Sequence, residues 1–206
     1  MHRCWSLVVL AVLAVVSPAS AADRGLSGSE GHPRARFPLA IHVAPLGEAA
    51  LDDTAISVVD HWNGVFADTL GVPAFRRVDH AAEADVILTL APATAPKLMG
   101  ETRLRVDDAG VIALPVRIVV YEPVARGQTP RETLLYQVAA HELGHALGLD
   151  HVIDPRSIMC CVTGSVDFSD PVARQAYIEA RRHPDVRSAR AQLITHYERF
   201  WRTRAP

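Results

Sequence analysis

Between Leu51 and Gly71 apolar side chains return at Ile56, Val59, Trp62, Phe66 and Leu70, the spacing of a helix with one buried face. Asp52 or Asp53 is placed to cap its start and Gly71 to stop it. Ahead of it, FPLAIHVAP (37–45) is an apolar run of strand length. AFRRV (74–78) and ADVILTLAP (84–92) predict a short strand and a buried one. TRLRV (102–106) and VIALPVRIVVYEP (111–123) flank the turn residues Asp107, Asp108, Ala109 and Gly110, the pattern of a hairpin. Pro115 has no N–H to give to a ladder, which places part of that hairpin at a sheet edge.

Helical spacing resumes from about residue 130 to 147. Thr129 as cap, Pro130 at the first helical position and Glu132 three after the cap form a capping box, and Gly148 is positioned to end the helix. Asp170-Pro171 opens a short helix to about Arg182. Asp185 opens a longer one with Val186, Ala189, Leu193, Tyr197 and Phe200 on one stripe. The pattern predicts a single α+β domain over 37–206, a mixed sheet with a few helices and a C-terminal helical part at about 170–203.

The first residues have a different pattern. A basic start at Arg3, an apolar run from about Trp5 to Val16, and Ala19-Ser20-Ala21 are the layout of a secretory signal peptide over 1–21. About a dozen apolar residues are too few to span a hydrocarbon layer of roughly 30 Å. Export to the periplasm or the exterior is therefore expected, with no stable membrane anchor after cleavage. Residues 22–36 are polar, with Gly and Pro among them, and read as a flexible leader.

Composition narrows the options. With 206 residues, 49% of them hydrophobic, the chain can bury one globular core. A net charge of -2 offers nothing to nucleic acid. Cys160 and Cys161 are the only cysteines beyond the signal, so a disulfide framework is excluded. They are expected as two small buried thiols, since adjacent cysteines can bond only as a strained ring. A monomer is expected.

One stretch carries chemistry: HELGHALGLDH, residues 141–151. On a helix, His141 and His145 are four apart and aim at one point. Glu142 is rotated by about 100° and can reach a water beside a metal without ligating it. Gly148 can turn the chain so that His151 returns as a third ligand. Three imidazoles leave a fourth position for water, as catalytic zinc sites do and closed structural sites do not. The bland alternative is a buried helix whose histidines each find a separate backbone partner.

This stretch, followed by Met159 in DPRSIMCC, resembles the metzincin clan of zinc endopeptidases, and within it the matrixins. AAHELGHALGLDH is similar to their active-site helix, AFRRVDHAAEADVILTL to their early strand pair, and DVRSARAQLITHY to their closing helix. The resemblance implies a zincin fold with a twisted mixed sheet, an active-site helix, a methionine turn and C-terminal helices. It implies one catalytic Zn2+ held by His141, His145 and His151, Glu142 as general base and later proton donor, and Met159 as the floor beneath the metal. The implied activity is hydrolysis of protein or peptide bonds, with substrate extended along an edge strand from 102–106 or 111–116. Two alternatives stay open: an inactive zinc-binding protein of the same fold, and a hydrolase of a non-protein amide.

The chain departs from the family pattern in places. The leader carries no cysteine to cap a zinc, Val152 stands where matrixins commonly have serine, and no constellation for a structural zinc or calcium is evident. Cys161 occupies a position where some metzincins carry a tyrosine, so Cys160 and Cys161 are candidates for lining the pocket or for regulating it. His42, His61, His80, His183 and His196 lack ligand spacing, and Trp62 reads as core. The C-terminal arginines, Arg174, Arg181, Arg182, Arg187, Arg190, Arg199, Arg202 and Arg204, read as a solvated helix face.

Overall fold

A computed structural model describes residues 26–92, 99–124, 129–161 and 164–204. Residues 1–21, expected as a signal peptide, lie outside these. Five strands form one sheet: β1 (Leu39–Val43), β2 (Phe75–Arg77), β3 (Val86–Ala91), β4 (Gly100–Arg103) and β5 (Val116–Tyr121). Their order is β2-β1-β3-β5-β4. All neighbours are parallel except β4, which runs antiparallel to β5 with Gly100 opposite Val120 and Arg103 opposite Arg117.

Of the internal strands, β1 and β3 begin with three consecutive buried residues, while β5 alternates, burying Val116, Ile118 and Val120 and exposing Arg117. Leu39, Ala40 and Ile41 of β1 and Val86, Ile87 and Leu88 of β3 are buried. Helix α1 (Ala49–Leu70) buries Leu51, Ala55, Val58, Val59, Trp62, Val65 and Phe66, and ends at Gly71 with a left-handed φ of 75°. Its stripe is rotated slightly from the expected one, leaving Ile56 and Leu70 only partly buried. Its start is at Glu48 without a side-chain cap. Asp52 instead accepts from the Leu46 backbone N–H at 2.6 Å, tying down the approach to the helix.

Helix α2 (Arg131–Ala146) packs against α1, β4 and β5. Its expected capping box does not form: Pro130 is the cap residue, with no side-chain bond. Arg131 anchors this end through Glu48 and Glu122. Helix α3 (Pro171–Arg182) starts as expected, with the Asp170 carboxylate accepting from Val172 N. After a 3-10 turn over Val186–Ala189, helix α4 (Arg190–Arg202) buries Leu193, Tyr197 and Phe200.

Part of the expected hairpin does lie at the sheet edge, as β4, while Pro115 itself lies just before β5, an interior strand. Proline is tolerated there because it precedes the ladder. Residues 26–36, expected as flexible leader, are packed. Gly31 donates to Gly110 O at 3.1 Å and accepts from Ile112 N at 3.0 Å, and His32 is fully buried. The polar groups of this segment find partners across the fold, which its composition does not reveal. No helix among the described residues is long and apolar enough to cross a membrane.

Candidate metal centre

Helix α2 carries His141 and His145 on one face, one turn apart. The chain leaves the helix through Gly148, at φ 86°. A Cβ at that position would also run into the Glu30 carbonyl, so glycine is required twice over, by conformation and by space. This bend returns His151 to the same point. The three Nε2 atoms lie 3.0 Å (His141–His145), 3.1 Å (His141–His151) and 3.3 Å (His145–His151) apart.

What do three ring nitrogens do at such distances? The other nitrogen of His141 lies 2.9 Å from Ile158 O, and that of His145 lies 2.8 Å from Leu149 O. A carbonyl only accepts, so each Nδ1 carries the proton and each Nε2 presents a lone pair. Lone pairs cannot bond to one another; they can share a cation. Tetrahedral zinc with ligands at about 2.0–2.1 Å would separate nitrogens by roughly 3.3 Å, which these distances approach. The backbone carbonyls also fix the tautomer and aim each ring. His141, His145 and His151 can hold one metal ion among them. Burial, with the His145 charge adding to it, holds the His141 ring neutral down to about pKa 3, and burial brings His145 down to about 4.

Met159 is fully buried. Gly144 on α2 makes room for it, since a Cβ there would collide with the Met159 thioether. The turn is tied to its surroundings: Met159 O accepts from Val152 N at 3.1 Å, and Ile158 N donates to Ser188 Oγ at 2.8 Å. Through Ile158 O the same turn orients His141.

Glu142, 7% exposed, sits beside the triad in a cavity of about 620 Å³. Its Oε2 accepts from the Thr102 hydroxyl at 2.7 Å. Burial raises its carboxyl pKa to about 7, with the Thr102 bond opposing and the Glu101 charge adding. Gly100 allows this approach of β4 to α2. A Cβ there would lie 2.6 Å from Val138 Cγ1 and 3.0 Å from Glu142 Oε1.

Cys160 and Cys161 line the cavity as expected, with Cys160 buried and Cys161 partly so. The C-terminal arginines expected as a solvated face are exposed except for Arg181. Arg181 turns inward to the Cys160 carbonyl and lines the same cavity. Arg199 bonds Gly28 O, and Arg204 bonds Ala109 O while stacking on Phe200. Trp62 is core, its indole N–H on Ala140 O at 3.1 Å. Thr102, Gly100 and Arg181 escaped the sequence pattern because none has motif spacing to the histidines.

The family model described as Matrixin matches residues 64–170, more than half of the chain. The chain belongs to the matrixin family. Within it, a 37-residue segment is 57% identical to macrophage metalloelastase of Oryctolagus cuniculus. That segment is 18% of this chain and covers only 8% of the relative's length. Among solved structures, this matrixin is similar to archaemetzincin from Methanopyrus kandleri, with 18% identity, a TM-score of 0.41, and coverage of 84% of this chain and 98% of that one. The mixed sheet, the active-site helix and the buried methionine turn give this matrixin its metzincin-like α+β fold.

Proposed function

We propose that this matrixin is an exported zinc-dependent endopeptidase with His141, His145 and His151 as ligands, Glu142 as general base and Met159 as the floor. The observation that carries the proposal is the convergence of three imidazole Nε2 atoms within 3.3 Å of one another, beside a buried carboxyl with a pKa of about 7. A buried helix with separately satisfied histidines has no reason to bring them together. Zinc in this position would polarise a scissile carbonyl and acidify a water molecule.

The rest falls to the chain. Glu142, poised near neutrality, takes the proton of the attacking water and returns it to the leaving amine. The Thr102 hydroxyl holds the carboxylate toward the cavity. The outer edge of β4 pairs with no strand among the described residues, and a peptide can add there as a further strand, its backbone running past Glu142. Residues 1–21 direct the chain out of the cell.

The test is metal analysis of the mature protein together with cleavage of denatured casein, with and without a chelator. One zinc per chain and chelator-sensitive cleavage are expected. Glu142→Ala should retain zinc and lose cleavage to a trace. A zinc-loaded protein that leaves a broad peptide library intact would overturn the endopeptidase reading.

A further inference from the structure

Arg181 is placed where the mechanism above makes no use of it. It comes from the last turn of α3 and reaches back across the methionine turn. Its Nη2 donates to Cys160 O at 2.7 Å and its Nη1 lies 3.5 Å from Ser157 O. The guanidinium stacks on the Tyr177 ring, 4.6 Å from its centroid. These contacts anchor it in one orientation at the wall of the cavity that holds His141 and Glu142.

Its charge is not answered. The Nε is buried without a hydrogen-bond partner. No ion pair among the described residues includes Arg181. Beyond them, Asp23 is the only residue with a carboxylate side chain. Glu142 is the one carboxylate lining the cavity among the described residues, and the mechanism occupies it. A pre-oriented guanidinium with unused donors matches a carboxylate in charge and in its forked geometry.

We propose that Arg181 is a specificity-determining residue that selects substrates with an acidic side chain, Asp or Glu, flanking the scissile bond where the peptide meets the Cys160–Tyr177 wall. This rests on the endopeptidase reading and deepens it by naming a substrate class. The acidic side chain brings the countercharge that the cavity lacks. A neutral isostere leaves the guanidinium unpaired in a partly desolvated cleft, and is discriminated against for that reason.

The experiment uses zinc-loaded mature protein and paired peptides that differ only by Glu or Gln at each position flanking the cut. At one position the Glu peptide should be favoured about tenfold in kcat/KM, chiefly through KM. Arg181→Met should bring that ratio to within about twofold while leaving Gln-peptide cleavage within about threefold of wild type. Arg181→Glu should instead favour a Lys peptide. Arg181→Lys, which keeps the charge and loses the fork, should show an intermediate ratio, and it serves if Arg181→Met fails to fold or to hold zinc.

Equal cleavage of Glu and Gln peptides at every flanking position overturns the proposal, as does a ratio that survives Arg181→Met. If no peptide is cleaved at all, binding of labelled Glu and Gln peptides to the zinc-loaded Glu142→Ala protein, with and without Arg181→Met, decides. A Glu preference that depends on Arg181 then upholds the selectivity while the endopeptidase reading falls, and equal binding removes both.

Discussion

The Thr102 hydroxyl on β4 lies 2.7 Å from Oε2 of Glu142 on α2, a contact between residues 40 apart in sequence. It joins the edge strand to the carboxyl proposed as general base. A donor to the charged form of an acid lowers its pKa, so this bond opposes the rise caused by burial.

Thr102→Val should therefore raise the Glu142 pKa. A hydrogen bond to a charged group is worth about 1.5–3 kcal/mol, so the acid limb of the kcat/KM profile should move up by about 1 pH unit. Activity at pH 6 should fall by roughly tenfold with zinc content unchanged. An acid limb that stays in place would remove Thr102 from this role.

Gly100→Ala places a methyl against Val138 Cγ1 and the Glu142 side chain, which must shift to admit it. Overpacking of this kind costs about 1–3 kcal/mol. Because the strain falls on the Glu142 side chain, kcat should drop by more than tenfold while the zinc stays bound. Chemical denaturation and kinetics on one preparation separate the two effects.

Gly148→Ala forces a β-carbon onto a left-handed backbone and into the Glu30 carbonyl. The bend that returns His151 should open, and zinc affinity should weaken by at least about tenfold, the size of effect seen when ligand positioning is lost. A competitive chelator titration measures this. The first two ligands remain, so a weak site should persist.

Outside the triad, His32 and His196 contribute to the acid stability. Burial brings both pKa values down to about 4 from an ordinary value of 6.5. Between those pH values the unfolded chain binds more protons than the folded one. Stability is thus fully present above pH 6.5 and is lost as pH falls toward 4. The loss is about 1.4 kcal/mol per pH unit for each ring. His32→Gln, which can still donate to Ala146 O, should be less stable than wild type at pH 7. The gap should shrink by about 1–2 kcal/mol at pH 5. Urea midpoints at the two pH values check it, and a constant gap would argue against His32 titrating in this window.

The convergence of His141, His145 and His151 was legible because its geometry is local. His141 and His145 are one helical turn apart and His151 follows a single bend, so their convergence is a property of eleven residues. The strand runs and the α1 and α4 faces were legible for the same reason, since burial on one face leaves a period in the chain. The cap of α2 was not, because Pro130 takes the cap position and Arg131 anchors that end through acids from two other elements.

Residues 26–36 show the limit most directly. They are polar and glycine-rich, and their order comes from distant partners: His32 bonds Ala146 O at 2.9 Å, 114 residues away, beside Tyr197, which bonds Leu147 O at 2.8 Å. Those two bonds satisfy carbonyls at the open end of the active-site helix. Local spacing along the chain set which histidines meet and which faces are buried. Only folding could decide that Thr102 holds Glu142, that Arg181 enters the cavity and that His32 closes α2. Contacts between remote residues leave no period in a sequence, and their energies exist only once the sheet and helices have brought the partners together.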